Sequence, residues 1–167
     1  MTRRAVLICP GRGTYNAPEL GYLKQHSPRF DAELNGFDTQ RAALGQSAIT
    51  TLDAAEKFDA NVYTRGDNAS GLIYASAYCD GSSLADDIEV VAVTGNSMGW
   101  YIAMALAGAV SDQDGFRLVN TMGNLMQQSL IGGQLVYSVC DANWVVDENV
   151  KTGLLALVKQ IDTKPGH

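Results

Sequence analysis

The chain opens on an apolar run, Ala5-Val6-Leu7-Ile8-Cys9, that ends in Pro10-Gly11. A short unbroken run bounded by turn residues predicts a buried strand. The turn that follows, Pro10-Gly11-Arg12-Gly13-Thr14-Tyr15, has two glycines in three residues, which permits close backbone approach. Residues 18–44 are mixed and predict helix, loop, helix. Residues 47–58 place Ile49, Leu52, Ala55 and Phe58 at three-residue steps and predict a short amphipathic helix. Residues 64–68 are polar and turn-like, whereas residues 69–78 are small and apolar and predict a buried helix. The clearest strand is 88–93, apolar except for Glu89, the pattern of a strand covered on both faces. Helices are predicted over 100–109, over 114–130, with an apolar face from Phe116 to Met126, and over 150–161. Residues 134–140 alternate loosely and predict one more strand. Strands alternating with helices imply an α/β architecture with a mostly parallel sheet.

Composition narrows the class. The 167 residues are 46% hydrophobic and 18% charged, a globular balance with ample material for a core. The apolar runs are too short to span a membrane, and the first one is too short for a secretion signal, so a cytoplasmic protein is expected. Net charge is −6, and Arg3-Arg4 is the main basic cluster, which argues against nucleic acid as a partner. Cys9, Cys79 and Cys140 are odd in number and widely spaced. They follow apolar stretches and read as core thiols, with no metal site.

The segment that carries chemistry is Gly95-Asn96-Ser97-Met98-Gly99, between the clearest strand and a strong helix. In this G-x-S-x-G pattern the serine occupies a sharp strand-to-helix turn, and the glycines remove side chains that would clash there. The helix start offers free N–H groups and a positive partial charge, which suit the oxyanion formed when a serine attacks a carbonyl. Ser97 is therefore the candidate nucleophile.

Taken with Trp100-Tyr101-Ile102-Ala103, Ala107-Gly108-Ala109-Val110-Ser111, Arg117-Leu118-Val119 and Met122-Gly123-Asn124-Leu125-Met126-Gln127, this segment resembles the malonyl-CoA:acyl carrier protein transacylases and the acyltransferases of polyketide synthesis. Pro10-Gly11-Arg12-Gly13-Thr14 is similar to the P-G-Q-G-S loop of that family. The resemblance runs along the whole chain. It implies an α/β-hydrolase-like nucleophile subdomain, a parallel sheet with helices on both faces, over residues 1–131. Residues 132–167 would be the first part of a ferredoxin-like subdomain. It further implies ping-pong transfer of an acyl group from acyl-CoA through Ser97 to the phosphopantetheine thiol of an acyl carrier protein, with no tightly bound cofactor. The oxyanion hole would be the backbone N–H groups of Met98 and Arg12.

The sequence departs from the family pattern at four places. Asn96 stands for a histidine, Trp100 for a glutamate and Arg12 for a glutamine. Met122 stands where malonyl-type members carry the arginine that pairs with the acyl carboxylate, so the acyl pocket expected from Met122, Asn96 and Trp100 suits an uncharged acyl group. Arg117 lies five residues from Met122, about 140° around a helix, and does not substitute.

A general base is also missing. His26 lies in a polar segment and is expected to be exposed, and His167 is the last residue. In the family the histidine lies downstream, beyond the ferredoxin-like subdomain, so the chain reads as incomplete, with a second polypeptide expected to supply the rest of the fold and the base. A thioester hydrolase using the same serine, and a non-catalytic interaction protein that keeps the fold, are the competing functions.

Overall fold

The computed structural model describes residues 2–129 and 137–163. The chain divides into two compact units, Met1–Ser129 and Leu130–His167.

The first unit is α/β. Strand β1, Arg3–Cys9, is followed by helices α1 (Asp31–Ala42), α2 (Ile49–Asp53), α3 (Ala60–Tyr63) and α4 (Gly66–Gly81). Strand β2 (Ile88–Gly95) then leads into α5 (Gly99–Leu106) and α6 (Asp112–Ser129). β1 and β2 pair in parallel, from Arg3 opposite Ile88 to Cys9 opposite Gly95, with an irregularity between Ala5 and Val6. Parallel pairing requires a long crossover, which the four helices between the strands provide. The register has a direct consequence for the site. Because Cys9 and Gly95 are partners at the ends of their strands, the Pro10–Tyr15 loop and the Asn96–Ser97 turn leave the sheet side by side, at its carboxyl edge. That edge is where open parallel sheets bind ligands.

The core is built around α4, which buries Leu72, Ile73, Tyr74, Ala75 and Cys79. Its aromatic centre joins Phe37 of α1, Phe116 of α6 and Tyr74; Phe37 and Phe116 stack at 4.4 Å. α4 and α6 cross at Gly66 and Gly123, where a Cβ on Gly66 would come within 2.9 Å of the Gly123 carbonyl oxygen. Only glycines allow backbones so close. Arg41 is fully buried, but its guanidinium donates to the carbonyls of Ser47 and Asp67 and to Asn68 Oδ1 and Asn120 Oδ1. A buried cation satisfied in this way ties α1, α4 and α6 together.

Several sequence expectations change. Strands covered on both faces are not found: Ile8 is 78% exposed and Val91 41%. Among the described residues the sheet has two strands, so each strand has one edge that no described strand pairs with. The helix predicted over 47–58 shortens to Ile49–Asp53, and the turn predicted over 64–68 is largely the first turn of α4. Cys140 is only half-buried, unlike Cys9 and Cys79.

In the second unit, helix α7 (Glu148–Asp162) is capped by Asp147, whose side chain accepts from the N–H groups of Asn149 and Val150. An Asp141 turn precedes it, closed by an isolated antiparallel bridge between Cys140 and Val146. Part of the strand expected over 134–140 lies outside the described residues, and 137–139 are irregular. No residue of α7 is buried, so its apolar stripe forms no core within this unit. Among the described residues no helix is long and apolar enough to cross a membrane.

Candidate active site

The site begins with a strained residue. Ser97 has φ of +53°, in the left-handed region that side-chain-bearing residues seldom adopt. The chain turns there from β2 directly into α5. Gly99 N–H donates to the Asn96 carbonyl (2.8 Å), Trp100 N–H to the Ser97 carbonyl (3.1 Å) and Tyr101 N–H to the Met98 carbonyl (3.1 Å), so helical bonding begins within the turn itself. The two glycines are sterically required. A Cβ on Gly95 would overlap the Gly99 carbonyl group, and one on Gly99 would overlap the Cys9 carbonyl oxygen. Their absence lets β1, β2 and α5 converge beneath the serine, whose residue is exposed.

The first loop lies against this turn. A Cβ on Gly11 would be 3.1 Å from the Asn96 carbonyl oxygen and 3.7 Å from the Ser97 Cβ. Gly13 has φ of +91°, which reverses the chain after Arg12. The loop is braced internally, since Thr14 Oγ1 donates to the Gly11 carbonyl (3.1 Å) and Asn16 Nδ2 to the Gly13 carbonyl (3.1 Å). Among the described residues, neither the Met98 N–H nor the Arg12 N–H has a hydrogen-bond partner. Met98 itself is buried at the start of α5.

The other expected site residues disperse. Asn96 is exposed beside Ser97. Trp100 is 61% exposed on the first turn of α5. Met122 is half-buried on α6, next in sequence to the Gly123 that meets α4. The Arg12 side chain reaches the same junction: its Nη1 lies 3.4 Å from where a Cβ on Gly66 would be. A substitution read from the sequence as affecting only the loop therefore brings a guanidinium to the α4–α6 crossing. Arg117 pairs with Asp114 on the surface of α6.

His26 is not exposed as expected. Its side chain is 9% exposed and contacts Asp80 Oδ1 at 3.2 Å, while Tyr22 donates to the same carboxylate. The ring also packs near Tyr22 and Phe30. Asp80 lies fourteen residues after Gly66 on α4, about 21 Å along the helix, so His26 is held far from the end of α4 that Arg12 reaches. His167 lies outside the described residues.

Sequence reasoning missed Tyr15 and Asp53. The buried Tyr15 hydroxyl donates to Asp53 Oδ1 at 2.6 Å, directly after the loop. Burial, reinforced by the Asp53 carboxylate, drives the Tyr15 phenol well above its ordinary range, so it remains a donor. No periodicity or spacing links residues 15 and 53. Beneath the turn, burial pushes the Cys9 thiol up, which keeps it neutral.

No family model and no curated protein matches this chain. Solved structures do. The malonyl-CoA:acyl carrier protein transacylase of Mycobacterium tuberculosis superposes with a TM-score of 0.65 at 20% identity, covering 98% of this chain and 51% of that one. An acyl-carrier-protein S-malonyltransferase from Bartonella henselae gives 0.56 at 28% identity, over 79% of this chain and 41% of that one. A type II polyketide malonyl-transacylase, solved in complex with its acyl carrier protein, gives 0.58 at 19% identity, over 77% of this chain and 40% of that one. The chain thus spans about two-fifths to one-half of the length of these structures and shares the fold of that part of them.

Proposed function

We propose that this chain carries the nucleophile of an acyltransferase that moves an acyl group from a CoA or carrier-protein thioester, through an ester on Ser97, to the phosphopantetheine thiol of an acyl carrier protein. The observation that carries the reading is the +53° φ of Ser97 between Gly95 and Gly99, with the Gly11 loop in contact. Strain of this kind persists where surrounding structure holds it, and here it lifts one hydroxyl above the end of a sheet. The likeness to transacylases, one of them bound to its carrier protein, supports acyl transfer as the chemistry.

In this reading Ser97 Oγ attacks the thioester carbonyl, and the N–H groups of Met98 and Arg12 hold the oxyanion. The thiolate leaves, and the carrier thiol repeats the sequence in reverse. The serine proton goes to a histidine other than His26, which is tied to Asp80, and a second polypeptide is the source we propose for it.

Met122 favours an uncharged acyl group, because a methionine cannot pair with a carboxylate. One observation favours a second reading of acyl choice. Among the described residues Arg12 makes no ion pair, and its guanidinium sits at the helix junction where Gly66 meets Gly123, the residue after Met122. An acyl group ending in a carboxylate would find its cation there.

The test is a single-turnover experiment on the native complex, with labelled acetyl-CoA and a carrier protein bearing its phosphopantetheine arm. Label passing to the carrier thiol is expected. Release of acetate at an equal rate with and without carrier would make the protein a hydrolase.

A further inference from the structure

We infer that Tyr15 and Asp53 are a positioning pair that fixes the Arg12 N–H for oxyanion binding. The inference rests on the Ser97 acyl-transfer reading.

The loop from Pro10 to Tyr15 is anchored at both ends. At its start, Cys9 is paired with Gly95 and its carbonyl packs under Gly99. At its end, Tyr15 is buried and its hydroxyl is bound to Asp53. Asp53 is itself buried and holds more than the phenol. Its second oxygen accepts from the Leu23 N–H (3.1 Å), and its backbone carbonyl accepts from the Gly21 N–H (2.7 Å). The Tyr15 ring lies parallel to that of Tyr63 at 6.3 Å, and Tyr63 stacks on Phe58 at 4.8 Å. Arg12 therefore sits between a strand end and an aromatic anchor, in a loop whose intervening carbonyls are already tied by Thr14 and Asn16.

This arrangement matters because an oxyanion donor works only when it is aimed before the charge develops. Loss of one donor costs about 10²–10³ in rate, and a misplacement of about 1 Å can cost about 10². A buried phenol–carboxylate bond at the loop exit is the kind of support that holds such aim. Without it the ring would still fill its space, but the loop end would lose its one directional tie to α2.

The experiment uses the native complex with p-nitrophenyl acetate. Ser97 Oγ bonds to the acetyl carbon, the bond from that carbon to the aryloxy oxygen breaks, nitrophenolate leaves with the electron pair and the hydroxyl proton passes to the general base. Acetylation at Ser97 is followed by mass, and the maximal rate constant is separated from the half-saturation concentration. Tyr15→Phe is compared with Tyr74→Phe, which also removes a buried phenol donor, to the Asp112 carbonyl, at a distant place in the core.

A purely structural role predicts similar effects of the two. Positioning predicts that Tyr15→Phe lowers the maximal rate about tenfold or more with little change in half-saturation, while Tyr74→Phe leaves both near wild type. Asp53→Asn, which keeps an acceptor oxygen for the phenol, should retain more rate than Asp53→Ala. Wild-type rate in Tyr15→Phe, or equal rates in the two Asp53 variants, overturns the inference. Absence of any ester on wild-type Ser97 overturns the acyl-transfer reading itself.

Discussion

The Cα of Gly99 faces the Cys9 carbonyl oxygen so closely that a methyl group on it would overlap that oxygen. This contact joins the first turn of α5 to the end of β1 and brings the two loops of the site together. At an ordinary helix position Gly→Ala gains up to about 1 kcal/mol. Here Gly99→Ala is expected to lose stability, by about 1–3 kcal/mol, because the strand and helix must separate. A urea midpoint measures it, and a raised midpoint would contradict the packing described.

Ser97 should behave in the opposite way. Its left-handed φ is costly for serine and free for glycine. Ser97→Gly is expected to raise stability by roughly 1 kcal/mol, while Ser97→Ala leaves it near wild type. Both should remove acylation. Thermal melting of the two variants tests this, and a glycine variant less stable than the alanine variant would argue against strain at this residue.

Much of this site was legible because its physics is local. Gly95, Ser97 and Gly99 sit within five residues, and a strand before them with a helix after them fixes what the turn must be. The Pro10–Thr14 loop was legible for the same reason. Where tertiary contacts decide, the sequence was silent or misleading. Arg12 read as a backbone contributor, yet its side chain reaches the α4–α6 crossing, a fact that depends on Gly66 and Gly123 being in contact. His26 lies among polar residues and read as exposed, but Asp80, more than fifty residues away in the sequence, and the nearby Tyr22 enclose it. The apolar runs of β1 and β2 read as buried because alternation and continuity report what a strand is built to meet, not what the described residues place against it.

Acyl choice separates the Met122 and Arg12 readings. If Met122 sets selectivity, kcat/KM in the native complex favours acetyl-CoA over malonyl-CoA, and Met122→Arg shifts the ratio toward malonyl by about a hundredfold, the scale set by an unpaired buried charge. If Arg12 binds a carboxylate, the wild type favours malonyl-CoA and Arg12→Gln removes that preference. The wild-type ratio decides between them.

The thiols give an independent check of the core. Burial pushes the Cys79 thiol up to about 12 and raises that of Cys9, so both stay protonated and enclosed at pH 8. Titration of the folded chain with a disulfide reagent should modify Cys140 quickly and the other two only after denaturant is added. Rapid reaction of Cys9 would show that the floor of the serine turn is open.

The central claim is that Ser97 takes the acyl group, and the most direct test is the intact mass of the native complex after brief exposure to acetyl-CoA, with the modified residue located by peptide mapping. One acetyl ester on Ser97 is expected, absent from Ser97→Ala and discharged when a carrier protein with its phosphopantetheine thiol is added. Undiminished labelling of Ser97→Ala, or an ester that maps to another residue, would contradict it.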